Sequence, residues 1–134
     1  MELKHIMAED VTIEELEFLA ASTKMDFGGM RPVDICRQAM MGKSIIWRFT
    51  GDNGETGIVV TRGVKQPNGS ELFIQHLGGV GLIKNAKFIF GELEKFGREH
   101  NFRWMTGNAI KPMAALCTRR LGFNQATIQI VKEI

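Results

Sequence analysis

Four features of the chain carry residues capable of chemistry. Gly78-Gly79-Val80-Gly81 leaves a strand-like run and leads into a long helical pattern, with Lys84 and Lys87 just beyond. A helix N-terminus presents unpaired N–H groups and a partial positive charge, so it suits a phosphate. Glycines let backbone approach a ligand closely, although a Gly-rich turn joining strand to helix accounts for the same residues. His76 has an imidazole that titrates near neutrality and can take a proton, or it is an ordinary strand histidine. Glu71 is the carboxylate on the same strand. Cys117 can donate a proton from a thiol of ordinary pKa near ~8.5, yet its place on an apolar helix stripe points to packing. His5 and His100 fall at surface or strand-end positions. No two histidines or carboxylates have metal-ligand spacing, so no metal site is expected.

The elements around these residues follow from pattern. Residues 2–7 alternate as a first strand. Thr12 and Glu15 have the spacing of a capping box, and Ile13, Leu16, Leu19 and Ala20 form the stripe of the helix they open. A loop at Lys24–Met30 follows, and Pro32 opens a second helix with Val33, Cys36, Ala39 and Met40 inward and Gly42 as its stop. Ser44–Thr50, Thr56–Val64 and Glu71–Leu77 read as a three-strand meander, joined by turns rich in Gly, Asn and Asp. A helix over roughly 83–100 has the inward stripe Ala86, Ile89, Phe90, Leu93, Phe96 and Gly97. Phe102–Met105 is a strand, and Thr106-Gly107-Asn108 a turn. A helix opens at Ile110-Lys111-Pro112 and stops at Gly122, where Phe123 folds back onto its last turn. Asn124–Ile134 is a last strand.

The 134 residues make one domain, large enough for a core without disulfides or metal. No apolar run approaches the ~20 residues of a membrane span, and the N-terminus lacks a signal-peptide pattern. Cys36 and Cys117 stand alone, as reduced cysteines of a cytoplasmic protein do. Charge is uneven. Residues 1–80 hold 8 Lys/Arg against 11 Asp/Glu, and residues 81–134 hold 9 against 4. A basic C-terminal half suits an anionic ligand, or is a solvated mixed surface.

The stretch Lys111–Phe123 is similar to the helix–loop ending Asn-x-x-Ala-x-x-Leu-Tyr-x-x-Leu-Gly-Phe of the GCN5-related N-acetyltransferase (GNAT) family, with Ala114, Leu121, Gly122 and Phe123 matching. ELKHIMAED resembles that family's first strand and turn. The resemblance implies an α/β fold, a mixed, mostly antiparallel sheet flanked by helices in the order β-α-α-β-β-β-α-β-α-β, with a shortened C-terminal end. It also implies acetyl-coenzyme A in a wedge between the fourth and fifth strands. The pantetheine arm would lie along Ile74 and Leu77, with Asn108 or Lys111 at the position that holds it. The pyrophosphate would rest on Gly79, Gly81, Lys84, Asn85 and Ala86.

The sequence departs from the family in three places. The phosphate loop Gln/Arg-x-x-Gly-x-Gly/Ala aligns with Gly81–Ala86, where only Ala86 fits. The general-acid Tyr falls at Thr118, and the chain has no Tyr. The leaving thiolate must depart unaided or take a proton from Cys117. For the base that deprotonates the amine, Glu71, Gln75 and His76 lie on the splayed strand. Gln75 does not titrate, and strand alternation puts His76 on the opposite face. The third departure is the single strand after Leu121-Gly122-Phe123, where the family has a pair; it leaves an open sheet edge to be covered by a second copy or a larger assembly.

Two functions are expected from this resemblance. One is an N-acetyltransferase acting on a small-molecule or protein amine. The other is a non-catalytic protein that keeps the fold as a scaffold, as in small accessory or virion proteins of tailed phages. Nucleic-acid binding through Trp104, Arg103, Arg119 and Arg120 lacks any accompanying motif and is not expected. If the loop holds phosphate, Gly81→Asp should abolish coenzyme A binding and leave the fold intact.

Overall fold

The structure is a computed structural model that describes residues 1–23, 30–109, 111–126 and 132–134. Its elements in chain order are β1 (Glu2–Ile6), α1 (Ile13–Thr23), α2 (Pro32–Met40), β2 (Ile45–Thr50), β3 (Thr56–Gln66), β4 (Gly69–Gly79), α3 (Ala86–Glu99), β5 (Trp104–Gly107) and α4 (Lys111–Arg120), with a 3-10 turn at Ala8–Asp10. The strands lie side by side in that order, antiparallel except for the parallel pair β4·β5. A parallel pair needs a crossover, and α3 supplies it. The expected mixed α/β order therefore holds through α4. The centre of the last expected strand, at 127–131, and loop residues 24–29 lie outside the described residues. The flanking 124–126 and 132–134 carry no strand.

Alternation along the strands sends side chains into two cores. Ile46, Ile58 and Val60 meet Leu19 and Ile35 on the α1/α2 face. Trp47, Phe49 and Val59 meet Ile89, Phe90 and Leu93 on the α3 face, where Leu116, Cys117, Leu121 and Phe123 of the α4 region also pack. Each fully buried Ile, Leu or Phe contributes about 1.5–3 kcal/mol. Inside the second core the Trp47 indole donates to Thr61 Oγ1 at 2.9 Å, which satisfies both buried polar groups.

The helix ends carry the expected signals. The Thr12 N–H donates to Glu15 Oε1 at 2.9 Å and the Glu15 N–H to Thr12 Oγ1 at 3.2 Å, a reciprocal capping box. Pro32 is in the first turn of α2. Gly122 at φ +76° ends α4, Phe123 N–H returns to Cys117 O at 3.2 Å, and the Phe123 ring meets Phe90 edge-on at 5.6 Å.

The stripes of α1 and α2 differ from expectation, whereas that of α3 is as expected. Ile13 is 78% exposed, as are Val33 at 49% and Met40 at 79%; Glu15 and Ile35 are buried instead. For α1 the cause is an ion pair distant in sequence. Arg48 of β2 donates from Nε to Glu15 Oε2 at 2.7 Å and from Nη2 to Glu15 Oε1 at 2.8 Å, and also reaches Asp10 O. This fork draws the polar side of α1's first turn onto the sheet, so Ile13 turns outward.

Burial alone would raise the pKa of Glu15, but hydrogen bonds from Arg48 and Thr12 outweigh it and hold the carboxyl below its ordinary 4.5. A carboxylate with a depressed folded pKa contributes stability above its unfolded pKa and loses it as pH falls through the folded value. Glu15→Gln should therefore lower unfolding free energy by about 2 kcal/mol at pH 7. In urea denaturation followed by circular dichroism, the gap between variant and parent should narrow below about pH 4.5; a gap independent of pH would refute the ion-pair assignment.

Candidate active site

The parallel ladder between β4 and β5 is short. Glu71 pairs with Trp104, Leu72 with Met105, Phe73 with Thr106 and Ile74 with Gly107, and there it ends. From Gln75 to Gly79, β4 pairs among the described residues with β3 alone. The two strands thus open a wedge whose apex is Ile74–Gly107, with Leu77 on one side and Asn108 on the other. Asn108 is exposed in the connection to α4. Lys111 is the first residue of α4, and its side chain lies outside the described residues.

A β-bulge sits at the apex. Val60 opposes His76 and Thr61 opposes Ile74, so Gln75 is an extra residue in β4. Ile74 and Leu77 both pack against the α3-side core. Gln75 and His76 both turn to the other face. Gln75 Nε2 donates to Gln38 Oε1 of α2 at 3.3 Å and contacts Met30 Sδ at 3.4 Å. His76 Nδ1 lies 3.4 Å from Ser22 Oγ of α1. The alternation that separates Gln75 from His76 in the sequence is therefore corrected: the bulge puts them side by side. Ser22 gives its hydroxyl proton to Leu19 O at 2.9 Å. With its proton given to Leu19 O, the Ser22 hydroxyl has a lone pair to offer the His76 imidazole.

Two buried polar atoms at the apex, Gln75 Oε1 and Thr106 Oγ1, have no hydrogen-bond partner among the described residues. An unmade buried hydrogen bond costs about 1–3 kcal/mol, so a pair of them at a strand opening marks a place shaped for a ligand's polar groups. Neither Thr106 nor Gln38 was legible from the sequence. Only the β4·β5 register and the bulge bring them to the wedge.

The other expected residues spread along the strand and loop. Glu71 sits where β4 and β5 are still paired, roughly 15 Å of strand rise from His76, so the two are not brought together. Cys117 packs against the α3-side core, and burial raises its thiol pKa. Thr118 donates its hydroxyl to Ala114 O at 2.9 Å within its own helix.

After Gly79 the chain turns through Val80–Asn85 into α3. Asn85 donates from Nδ2 to Gly81 O at 2.9 Å and from its backbone N–H to the same oxygen at 3.2 Å; Ala86 is buried in the core, and its N–H donates to Ile83 O at 3.3 Å. Val80 and Ile83 are exposed on this loop. Lys84 Nζ meets Glu55 Oε1 at 3.4 Å. N–H donors of Glu55 itself and Asn53, with Lys84 and Asn85 adding to them, hold the Glu55 carboxyl below the usual range. Much of the Lys84 charge is thus met within the chain.

Each loop glycine also has a reason inside the protein. A Cβ on Gly78 would meet the Phe18 carbonyl oxygen at 2.7 Å. On Gly79 (φ +147°) it would meet Gly57 Cα at 2.4 Å and Thr56 O at 2.5 Å. On Gly81 (φ +77°) it would meet Glu55 Cγ at 2.5 Å. Gly81→Asp would strain the backbone and crowd Glu55, so the expectation that it leaves the fold intact is corrected.

No family model matches the chain, and no curated protein matches its sequence. Solved structures do match across its full length. A ribosomal-protein-alanine N-acetyltransferase from Brucella melitensis biovar Abortus 2308 superposes with a TM-score of 0.66 at 15% identity, covering 100% of this chain and 99% of that one. An aminoglycoside acetyltransferase from an uncultured soil metagenomic sample, in complex with sisomicin, gives 0.67 at 15% over 99% and 93%. A GNAT family acetyltransferase from Staphylococcus aureus gives 0.62 at 14% over 99% and 98%. The chain has the GNAT acetyltransferase fold.

Because Gly79 lies against β3 backbone, Gly79→Ala should destabilise the protein by more than about 2 kcal/mol in the absence of any ligand. Thermal unfolding would measure it. An unchanged melting temperature would show that β3 gives way at no cost.

Proposed function

We propose that the protein is an acyl-coenzyme A-dependent N-acetyltransferase that transfers an acetyl group directly to an amine. The observation that supports this most is the opening of β4 from β5 at a bulge, with two unpartnered polar atoms at its apex and a helix start just beyond. On this reading acetyl-coenzyme A is the acyl donor, and it supplies an activated thioester. Backbone of Ile74–Leu77 takes the pantetheine arm as an added strand would, and the amides of Leu82–Lys84, just ahead of α3, take the pyrophosphate. A β4 N–H past the bulge polarises the thioester carbonyl.

The amine enters from the α1/α2 face, where Gln75 Oε1 accepts an N–H and orients it. His76 takes the proton that the nitrogen loses as the new C–N bond forms and the C–S bond breaks, directly or through one water. Glu71 is too far along the strand for that role. Thr118 keeps its proton on Ala114 O, so the thiolate leaves without a general acid, which its low basicity permits.

The second reading is a protein that keeps the fold without the chemistry. It draws support from the absent Tyr, the intrachain reasons for all three loop glycines and the pairing of Lys84 with Glu55. One titration separates the two. Isothermal titration with acetyl-coenzyme A should show binding at about micromolar Kd. Ile83→Asp sets a carboxylate on the loop at an exposed position with no positive φ, and should weaken that binding roughly tenfold or more without moving the melting temperature. No heat at millimolar acetyl-coenzyme A would sink the transferase reading.

A further inference from the structure

A concavity of about 490 Å³ lies where α2 hands over to β2, lined by Gly42, Lys43, Arg62, Gly63, Val64 and Lys65. Half of these residues are cations and none is an acid. Among the described residues, Lys43, Arg62 and Lys65 form no ion pair. Arg62 Nε is buried with no hydrogen-bond partner. Surface lysines lose little by standing alone in water, but a buried guanidinium N–H without an acceptor is costly. An anion seated in the concavity would relieve it.

The topology places Arg62 on the acceptor side of the sheet, whereas Lys65, three residues further on, alternates to the α3 face. Thr61 bonds Trp47 in the α3-side core, so Arg62 points to the α1/α2 face. It is opposite Phe73, next to the Ile74–Gly107 apex. Two strand spacings of about 4.8 Å put it roughly 10 Å from the wedge. Lys43 comes from the other side: its N–H closes onto Gln38 O at 2.9 Å, and Gln38 is the residue that holds Gln75. β2 begins only at Ile45, opposite Thr61, so past Thr61 the β3 edge beside Lys43 has no strand partner among the described residues. The acidic group nearest in register on this face is Glu71, opposite Val64, and it pairs with none of the three cations.

We propose that Lys43 and Arg62 bind a carboxylate or phosphate, and that this oxyanion belongs to the acceptor amine. The acceptor is then a small amine carrying an anionic group a short chain away from its nitrogen. A polyamine is repelled at this end of the face. Arg62 gives a planar fork that matches an oxyanion, and Lys43 adds point charge. The acceptor role rests on the transferase reading; the anion site does not.

Backbone amide spectra of the ¹⁵N-labelled protein test it at constant ionic strength, with four amines: O-phosphoethanolamine, β-alanine, ethanolamine and spermidine. The two anionic amines should shift the amides of Gly42, Lys43, Arg62 and Gly63, and the stronger of them identifies the oxyanion. Ethanolamine and spermidine should leave those amides in place. Arg62→Gln, and independently Lys43→Gln should the first fail to fold, should weaken the anionic amine roughly tenfold. Absent shifts with both anionic amines, or shifts undiminished in the folded variant, overturn the site. Arg62-dependent shifts in a protein that binds no acetyl-coenzyme A overturn the acceptor role and the transferase reading together.

Discussion

The working end of this molecule depends on β4 having two partners of unequal length. The antiparallel ladder with β3 runs to Gly79, while the parallel ladder with β5 stops at Ile74–Gly107. A strand that keeps one neighbour and loses the other must leave backbone groups open on the lost side. The bulge at Gln75 accentuates this by bending β4 and sending two adjacent side chains to one face. Without the extra residue, Gln75 and His76 would alternate and only one would reach α1 and α2. The wedge, the apex orphans and the polar contact to Gln38 all follow from that single insertion.

The glycines after β4 show why sequence and structure assign the same residues different reasons. In the sequence a cluster of glycines before a helix suggests room for a ligand. In the fold, Gly78 makes room for the α1 backbone, Gly79 for β3 and Gly81 for Glu55. These needs leave a phosphate the amides of Leu82–Lys84, since those of Val80, Asn85 and Ala86 already donate to the Thr56, Gly81 and Ile83 carbonyls. What they remove is the inference from glycine content alone. The exposed Ile83 and the start of α3 then become the part of the loop whose chemistry a ligand would feel.

Local signals were legible and distant ones were not. The capping box of α1, the proline of α2, the apolar stripe of α3 and the Gly122 stop all sit within a few residues of the groups they act on. Their physics is complete in a short window. The facing of α1 was not, because Arg48 reaches back from β2 to bury Glu15 and no window of α1 contains it. The bulge failed for the same reason: Ile74–Leu77 alternates well by itself, and only the register of Val60 and Thr61 against it reveals the extra residue. Candidate residues on one strand were found, but the partners that give them a chemical setting, Ser22, Gln38 and Thr106, came from three other elements.

Charge makes the same point more sharply. The sequence divides into an acidic half and a basic half, and the basic half is where an anion would be sought. Yet Lys43, Arg62 and Lys65 all belong to the acidic half. Folding separates them from its carboxylates. Glu15 is spent on Arg48, Asp34 on Arg31 and Arg37, and Glu55 on Lys84. Once those pairs form, the cations left on the hairpin and the α2 turn line a concavity and, among the described residues, form no ion pair. Net charge counted along a chain says nothing of this, because a surface potential is set by which charges remain unpaired and where the backbone gathers them.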